Sequence, residues 1–295
     1  MSNPIITIGV PVYNGERFLR KCLESLLAQT FSDFEIIISD NASTDSTHSI
    51  CLEFAEKDER IQYFRQDKNI GLTPNFHFTL QKAVGKYFMW APIDDIVLAE
   101  YVEKTINFLE LNEHVVSCAS DFRFYYIGKN SHEKNKQETL LQNSKHIHSF
   151  SGAYEERIDL FLKNFQTSEM YAVHRTNKFK QDFITDAFWM WDHAVALNIL
   201  KHGDFHVLDD ILAYRYTQGI SRGTINSLSN SNLNPLKIIF LAYPFIFWCA
   251  KNLGIKVLMK HRLFFFKIFL RGEYIVISES IRIIKRIMFR QEKHW

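Results

Sequence analysis

Glycine and proline are scarce, 11 and 6 in 295 residues, which excludes collagen-like and low-complexity architectures. Cys22, Cys51, Cys118 and Cys249 include no CxxC pair. Neither a disulfide scaffold nor a structural zinc site is therefore indicated, and a reducing compartment is the simplest reading. The opening stretch MSNPIITIGVPVYN has no basic segment leading into an apolar core, so no secretory signal is expected. The longest uncharged apolar run, 238–250, is interrupted by Pro244. A membrane span needs about 20 apolar residues, so a transmembrane protein is not expected. Neither a Walker A loop nor GxGxxG follows the first candidate strand, which removes P-loop and dinucleotide-binding readings.

What is present is globular. Hydrophobic residues make up 46% and charged residues 23% of the chain, enough apolar content to fold one large domain or two modest ones. The formal net charge of +2 conceals an asymmetry, because residues 234–295 hold 12 Lys/Arg against 3 Asp/Glu. The remaining body is mildly acidic, with 23 basic and 30 acidic residues.

Short apolar runs at 5–10, 34–39, 61–65, 87–91 and 115–119 read as strands. Between them Phe18, Leu19, Cys22, Leu23, Leu26 and Leu27 fall on one helical face. Phe76, Leu80 and Val84 mark a second helix, and Val102, Ile106 and Leu109 a third. This alternation predicts an α/β fold with a mostly parallel sheet covered by helices. Further on, 154–165 and 189–203 read as helices, while 170–174, 205–208 and 211–216 read as strands. The polar stretch 129–150, with His146 and His148, reads as a surface excursion rather than a metal site. The Asp209-Asp210 pair reads as a turn between the two closing strands.

Ligands of such sheets bind beyond the carboxyl ends of the strands. Three polar segments stand there: PVYNGE after strand one, DNASTD after strand two and PIDD after strand four. Asn14 and Gly15 turn the chain where backbone donors can approach a ligand. Asp40 ends strand two with a carboxylate suited to a base or ribose, and Ser43 and Asp45 suit the cap of the next helix. Asp94 and Asp95 suit a hard divalent cation, and equally the N-cap of a helix over 97–111.

Residues 6–47 and 69–95 together resemble the family 2 glycosyltransferases, inverting enzymes of the GT-A fold. The similarity extends over about residues 4–222 and is strongest in 4–100. It implies that Pro11, Tyr13 and Asn14 line a nucleotide pocket and that Asp40 contacts the base. It places Asn69 and Gly71 in a loop holding the nucleotide sugar. Asp95 becomes the direct ligand of Mg²⁺ or Mn²⁺, and Asp94 faces either the ribose or the surroundings of the metal's direct ligands. In the acidic motif Ile93 occupies the first of three places where an Asp is common. Thr73-Pro74-Asn75 stands where Ala-Arg-Asn is frequent. FWMWDHAVALNILKHG, residues 188–203, is similar to a later family segment and puts the catalytic base at Asp192, with Glu169 and Asp186 as alternatives. An N-cap role for Asp192 stays open. LAYRYTQGISR, residues 212–222, resembles the closing motif, in which Arg215 and Ser221 match and Thr217 replaces a common His. Arg215 or Arg222 would neutralise phosphate charge. Trp189 and Trp191 are candidates to stack on an acceptor sugar.

The resemblance thus implies a domain over 1–230, with a nucleotide-sugar half at 1–120 and an acceptor half at 121–230. It would transfer a sugar from a nucleotide-diphosphate donor, with uracil the expected base, to a glycan or lipid-linked hydroxyl in cell-surface polysaccharide synthesis. Residues 231–295 interleave Phe/Ile-rich blocks with Lys and Arg, the pattern of helices lying in a membrane interface. That points to a cytoplasmic protein held peripherally at the inner membrane face; a packed subdomain or a homo-oligomer interface is the competing reading. No nucleic-acid motif is present. The alternatives for the body are a non-catalytic nucleotide-sugar-binding scaffold and a nucleotidyltransferase.

Overall fold

The computed structural model describes residues 3–127, 138–140, 147–165, 168–216 and 240–291. The chain divides into two compact units: 1–185 with 195–222, and 186–194 with 223–295.

The first unit is built on one sheet. Strands β1 (Ile6–Val12), β2 (Phe34–Asp40), β3 (Ile61–Arg65) and β4 (Tyr87–Trp90) pair in parallel in the order β3-β2-β1-β4. Every residue of β1, β2 and β4 is buried, as expected when helices cover both faces and no strand face is solvated. The connections are α1 (Leu19–Leu27), α2 (Thr47–Lys57) and α3 (Leu72–Lys82). Helix α1 turns Leu19, Cys22, Leu23 and Leu26 inward, the face its spacing predicts. Val84 falls beyond the end of α3 and is exposed, so the third position of that apolar repeat serves the loop into β4 instead. Ile6, Ile8 and Val10 meet Leu23, Ile36, Ile38 and Met89 in the main core.

The sheet does not stop at residue 120. After β5 (Ile96–Val97) and α4 (Tyr101–Leu111) come β6 (Val115–Ile127) and the short β7 (Glu138–Leu140), which pairs with β6. Helix α5 (Tyr154–Lys163), a 3-10 turn at Ser168–Tyr171, β8 (Val173–Arg175), α6 (Thr176–Lys180), α7 (Trp191–Ile199) and β9 (Asp204–Tyr216) follow. The full order is β3-β2-β1-β4-β8-β6-β9-β5. Strand β8 is antiparallel to both β4 and β6, and β9 is parallel to β6. Strands β6 and β9 therefore run in the direction of β1–β4, and their carboxyl ends reach the same edge. Residues 1–120 and 121–216 both contribute strands to this one sheet.

Two local readings are corrected. Residues 205–208 and 211–216 are one continuous strand, and Asp209-Asp210 is not a turn. The pairing of β9 with β6 jumps from Ser120↔Leu208 to Asp121↔Ile211, so the two aspartates form a bulge that leaves their charges outside the ladder. Nor does the Asp94-Asp95 pair cap a helix, because β5 intervenes and α4 begins at Tyr101. In the polar stretch 129–150, His146 lies outside the described residues, whereas Ile147 and Phe150 are buried. Among the described residues no group of three or more His, Cys, Asp or Glu is placed to hold a metal ion.

The second unit holds helices at Tyr243–Leu253, Ile255–Lys260 and Arg262–Gln291. Phe245, Cys249, Phe265 and Ile268 are buried in it.

Gly85 leads into β4, where a Cβ would lie 2.6 Å from the Thr7 backbone nitrogen and 2.8 Å from the Ile6 carbonyl carbon. Backbone cannot move aside as a side chain can. Gly85→Ala should therefore cost about 1–3 kcal/mol of stability, read as a lowered midpoint in urea; an unchanged midpoint would contradict the packing.

Candidate active site

Where parallel strands end, their last backbone groups need new partners. Here the loops after β1 and β2 supply them to each other. The Asn14 N–H donates to Ser43 Oγ at 2.9 Å, and the Thr44 N–H donates to Asn14 Oδ1 at 2.8 Å. The Gly15 N–H donates to Thr47 Oγ1 at 2.8 Å, and the Asn41 N–H to the Val12 carbonyl at 2.9 Å. Asn14 takes a left-handed φ of 50°, a conformation Asn tolerates better than most residues. Pro11 is buried in β1, whereas Tyr13 beside this lock is 42% exposed, a ring presented at the rim.

Asp40 is fully buried. Its Oδ1 accepts the Ser43 N–H at 2.8 Å and its Oδ2 accepts the Tyr63 hydroxyl at 3.0 Å, with Arg65 Nε 3.8 Å away. In this structure the carboxylate organises the 40–45 loop. Burial, with Asp40 as acceptor, pushes the Tyr63 phenol well above its ordinary value. Ser43 accepts from Asn14 rather than capping α2, while Asp45 Oδ1 accepts the Thr47 N–H and hydroxyl at the helix start. Asn69 Oδ1 accepts from Asn41 Nδ2 and the Gly71 N–H at 3.0 and 2.9 Å. Gly71 opens α3 at φ 92°, a backbone that disfavours a side chain. Asn75 donates to the Ser39 carbonyl and accepts from the Ser39 hydroxyl, tying α3 to the end of β2.

After β4 the chain presents Asp94 and Asp95. Ile93, in the place where an Asp is common, is buried, and its Cδ1 sits 2.5 Å from where a Gly15 Cβ would be. It is the apolar support of the first loop. The Tyr125 hydroxyl of β6 donates to the Asp94 carbonyl at 2.8 Å, fixing the turn. Arg215, near the end of β9, brings Nε to 3.7 Å from Asp95 Oδ2, and both side chains are 17% exposed. Its guanidinium is held from behind: it donates to Ser168 Oγ at 2.9 Å and stacks over Phe122 and Tyr171 at 4.2 and 5.4 Å. Burial pushes the Asp95 carboxyl up to about 7, against the lowering effect of Arg215 and with a further rise from Asp94. One guanidinium thus only partly offsets the burial of Asp95.

The first unit brings Tyr13, Asn14, Asp40, Asn69, Gly71, Asp94, Asp95 and Arg215 to the ends of strands or the loops that follow them. Asp192 stands in the first turn of α7, on a segment grouped with the second unit. Its side chain is 36% exposed, and its Oδ1 lies 2.9 Å from both the His193 N–H and His193 Nδ1. Glu169 is buried and Asp186 exposed. Trp191 is buried too, which removes it as a stacking platform; Trp189 is partly buried. Thr217, Ser221 and Arg222 lie outside the described residues. Sequence reasoning missed the holders of Arg215, namely Phe122, Ser168 and Tyr171, because they are far away in the chain and carry no motif.

The raised Asp95 carboxyl has a consequence for stability. Between about pH 4 and 7 the native protein keeps a proton that the unfolded chain has released. Stability from this group is therefore lost as pH rises through that window. In chelator-treated protein, the fall in thermal midpoint from pH 5 to pH 8 should be shallower for Asp95→Asn than for wild type. Parallel curves would show that Asp95 ionises normally.

The family profile described as Glycosyl transferase family 2 matches residues 7–176, more than half of the chain. Glycosyltransferase GlyA of Streptococcus pneumoniae is 33% identical over 169 residues, covering 56% of this chain and 22% of that protein. An uncharacterised glycosyltransferase of Rickettsia prowazekii is 35% identical over 201 residues, covering 58% of this chain and 62% of that one. The chain thus spans between about a fifth and two thirds of the length of these relatives. Among solved structures, S. aureus TarS 1-349 in complex with UDP-GlcNAc superposes with a TM-score of 0.58 at 18% identity, over 84% of this chain and 73% of that one. The mannosyltransferase PcManGT from Pyrobaculum calidifontis, in complex with GDP-Man and Mn²⁺, gives 0.53 at 15% identity, over 76% and 59%. The sheet order and these superpositions agree on a GT-A fold, and the chain belongs to glycosyl transferase family 2.

Proposed function

We propose that this protein is an inverting glycosyltransferase that moves a sugar from a nucleotide-diphosphate donor, a UDP-sugar, to a hydroxyl of a glycan or lipid-linked acceptor. The observation that carries the reading is the cluster at the carboxyl edge: Asp95, next to Asp94 in the chain, facing an anchored Arg215 beside the locked loops after β1 and β2. Tyr13 and Asn14 would form the rim of the nucleotide pocket over the Pro11 floor, with Asn69 and Gly71 on the side of the sugar. Asp40, which has no exposed surface, would serve the base by fixing the 40–45 loop and Tyr63 around it. The similar folds of TarS and PcManGT, solved with UDP-GlcNAc and GDP-Man, support a nucleotide-sugar donor.

A divalent cation fits the residues present. Burial raises the Asp95 carboxyl and Arg215 only partly offsets it; a hard cation bound there would favour the ionised form. Mg²⁺ characteristically takes one or two carboxylates and completes its shell with substrate phosphates and water, which suits a site with few protein ligands. Asp95 would be the direct ligand of Mg²⁺ or Mn²⁺, with Asp94 beside it or toward the ribose. Bound there, the ion would stabilise the negative charge of the departing diphosphate. Arg215, oriented by Ser168 and the two rings, would pair with the same phosphates.

Transfer with inversion needs a base opposite the leaving group. Asp192 would take the acceptor hydroxyl's proton as that oxygen bonds to the anomeric carbon. The bond from anomeric carbon to phosphate oxygen breaks, and the nucleoside diphosphate leaves with the electron pair. Asp192 suits the task because its carboxylate is partly exposed and oriented by His193. We further place the protein in cell-surface polysaccharide synthesis, on the cytoplasmic side and peripheral to the inner membrane face, where nucleotide sugars and lipid-linked acceptors meet.

Thermal shifts with UDP, GDP and dTDP, with and without Mn²⁺, test the donor site. A Mn²⁺-dependent shift with UDP, lost in Asp95→Ala, is expected; no shift with any nucleotide would favour a non-catalytic scaffold. Arg215→Met should weaken UDP far more than uridine, and equal losses would remove Arg215 from the diphosphate. Asp192→Asn should keep the UDP shift and lower transfer by about 100- to 10,000-fold. Retained turnover would pass the base role to another residue.

A further inference from the structure

The long helix of the second unit, Arg262–Gln291, is apolar on two opposite faces. One face packs within its own unit: Phe265 and Ile268 are buried, and Gly272 abuts Ala242 and Trp189. The other is open. Leu263, Phe266, Leu270, Tyr274, Ile277 and Ile281 are each between 48% and 71% exposed. They follow one another at intervals of three, four, four, three and four residues. At 3.6 residues per turn this gathers them into an arc of roughly 80°. The Tyr243–Leu253 helix adds Tyr243 and Phe247, both exposed, with ring centroids 6.0 Å apart. Six large apolar side chains in a row facing water need an occupant.

The charges identify it. Over residues 240–291 the sequence carries ten Lys/Arg, among them Lys251, Lys256, Lys260, Arg262, Lys267 and Arg271, against two acidic residues, Glu273 and Glu279. Lys267 and Arg271 are exposed and border the stripe on one side. A second copy seated on the stripe would normally bring balanced opposite charges to its flanks, and here it would bring Glu273 with a larger excess of cations. A lipid surface with anionic headgroups meets both features at once. No described helix is long and apolar enough to cross a membrane, so the occupant is met side-on.

We propose that this face is a docking surface for an anionic lipid bilayer. The helix lies in the plane of the interface, the 263–281 stripe enters the headgroup–acyl boundary, Tyr243 and Phe247 anchor beside it, and Lys267 and Arg271 pair with phosphates. This deepens the membrane placement proposed above and is independent of which sugar is transferred.

Sedimentation of the full chain with phosphatidylcholine vesicles, alone or mixed with phosphatidylglycerol, tests it. Binding to the mixed vesicles, weakened by salt and slight on the neutral ones, is expected. Leu270→Glu combined with Ile277→Glu should lower it by at least about tenfold. Lys267→Gln with Arg271→Gln leaves the apolar stripe intact and should lower it by a smaller factor, on the anionic vesicles alone. All four side chains are exposed, so unchanged thermal midpoints would verify that the variants fold. Absent binding, or equal binding to both vesicles, would overturn the proposal. So would a dimer in sedimentation velocity that Leu270→Glu dissolves, which would assign the stripe to a second copy. The UDP thermal shift reads the donor site separately, so failure here and failure there are distinguishable.

Discussion

A carboxylate held at a sheet edge out of water needs positive charge, and at the end of β4 Arg215 only partly offsets the burial of Asp95. Arg215 stands 3.7 Å from Asp95, yet the carboxyl remains raised to about 7. Stability alone would favour deleting the carboxylate or adding a second cation. Keeping the deficit is sensible where the missing charge arrives with the substrate. The surrounding design reads as support for that vacancy of charge: Tyr125 holds the Asp94 carbonyl, and Ser168, Phe122 and Tyr171 hold the guanidinium from behind. Strand β9 must run parallel to β6 for Arg215 to reach this edge, so the far end of the sheet is tied to the chemistry of its centre.

The loops after β1 and β2 follow a related logic. Each supplies the hydrogen-bond partners that the other's strand ends lack, through Asn14, Ser43 and Thr44. A rim made this way is rigid before any ligand arrives, which lowers the ordering cost of binding. Tyr13 can then be presented to solvent on a fixed backbone. Two departures from the family pattern find physical reasons here. Ile93 gives up a carboxylate and supports Gly15 instead. In Thr73-Pro74-Asn75 the last residue ties α3 to β2 through Ser39, and Thr73 is buried, so that segment is structural.

How much of this was legible in the sequence depended on how local each feature was. Continuous apolar runs gave β1, β2 and β4, because strands buried on both faces need no alternation, whereas β3, at the end of the sheet path, exposes Gln62 and Arg65. The polar segments after β1, β2 and β4 were readable as strand ends, and they do collect on one edge. Asp209-Asp210 was misread because a bulge and a turn share the same composition, and the pairing of β6 with β9 decides between them. The cap reading of Asp94-Asp95 failed because two residues, Ile96 and Val97, pair with Tyr214 and Ala213 before the helix starts. Neither pairing leaves a periodic trace. The cage around Arg215 was invisible for the same reason, since Phe122, Ser168 and Tyr171 meet it only through the sheet order.

The second unit shows the limit of reading composition without periodicity in space. Its excess of Lys and Arg is evident from counting, but counting cannot distinguish a packed subdomain from a surface helix. The structure contains both, divided between opposite sides of one helix. Phe265, Ile268 and Gly272 account for the packed side, so the exposed stripe cannot be surplus core that merely lacks room. An unused apolar face of that length would favour aggregation unless something covered it, and the bordering cations Lys267 and Arg271 would suit the negatively charged cover proposed above. An enzyme whose acceptor is held in a lipid surface would gain from such a face, because docking turns the search for acceptor from three dimensions into two.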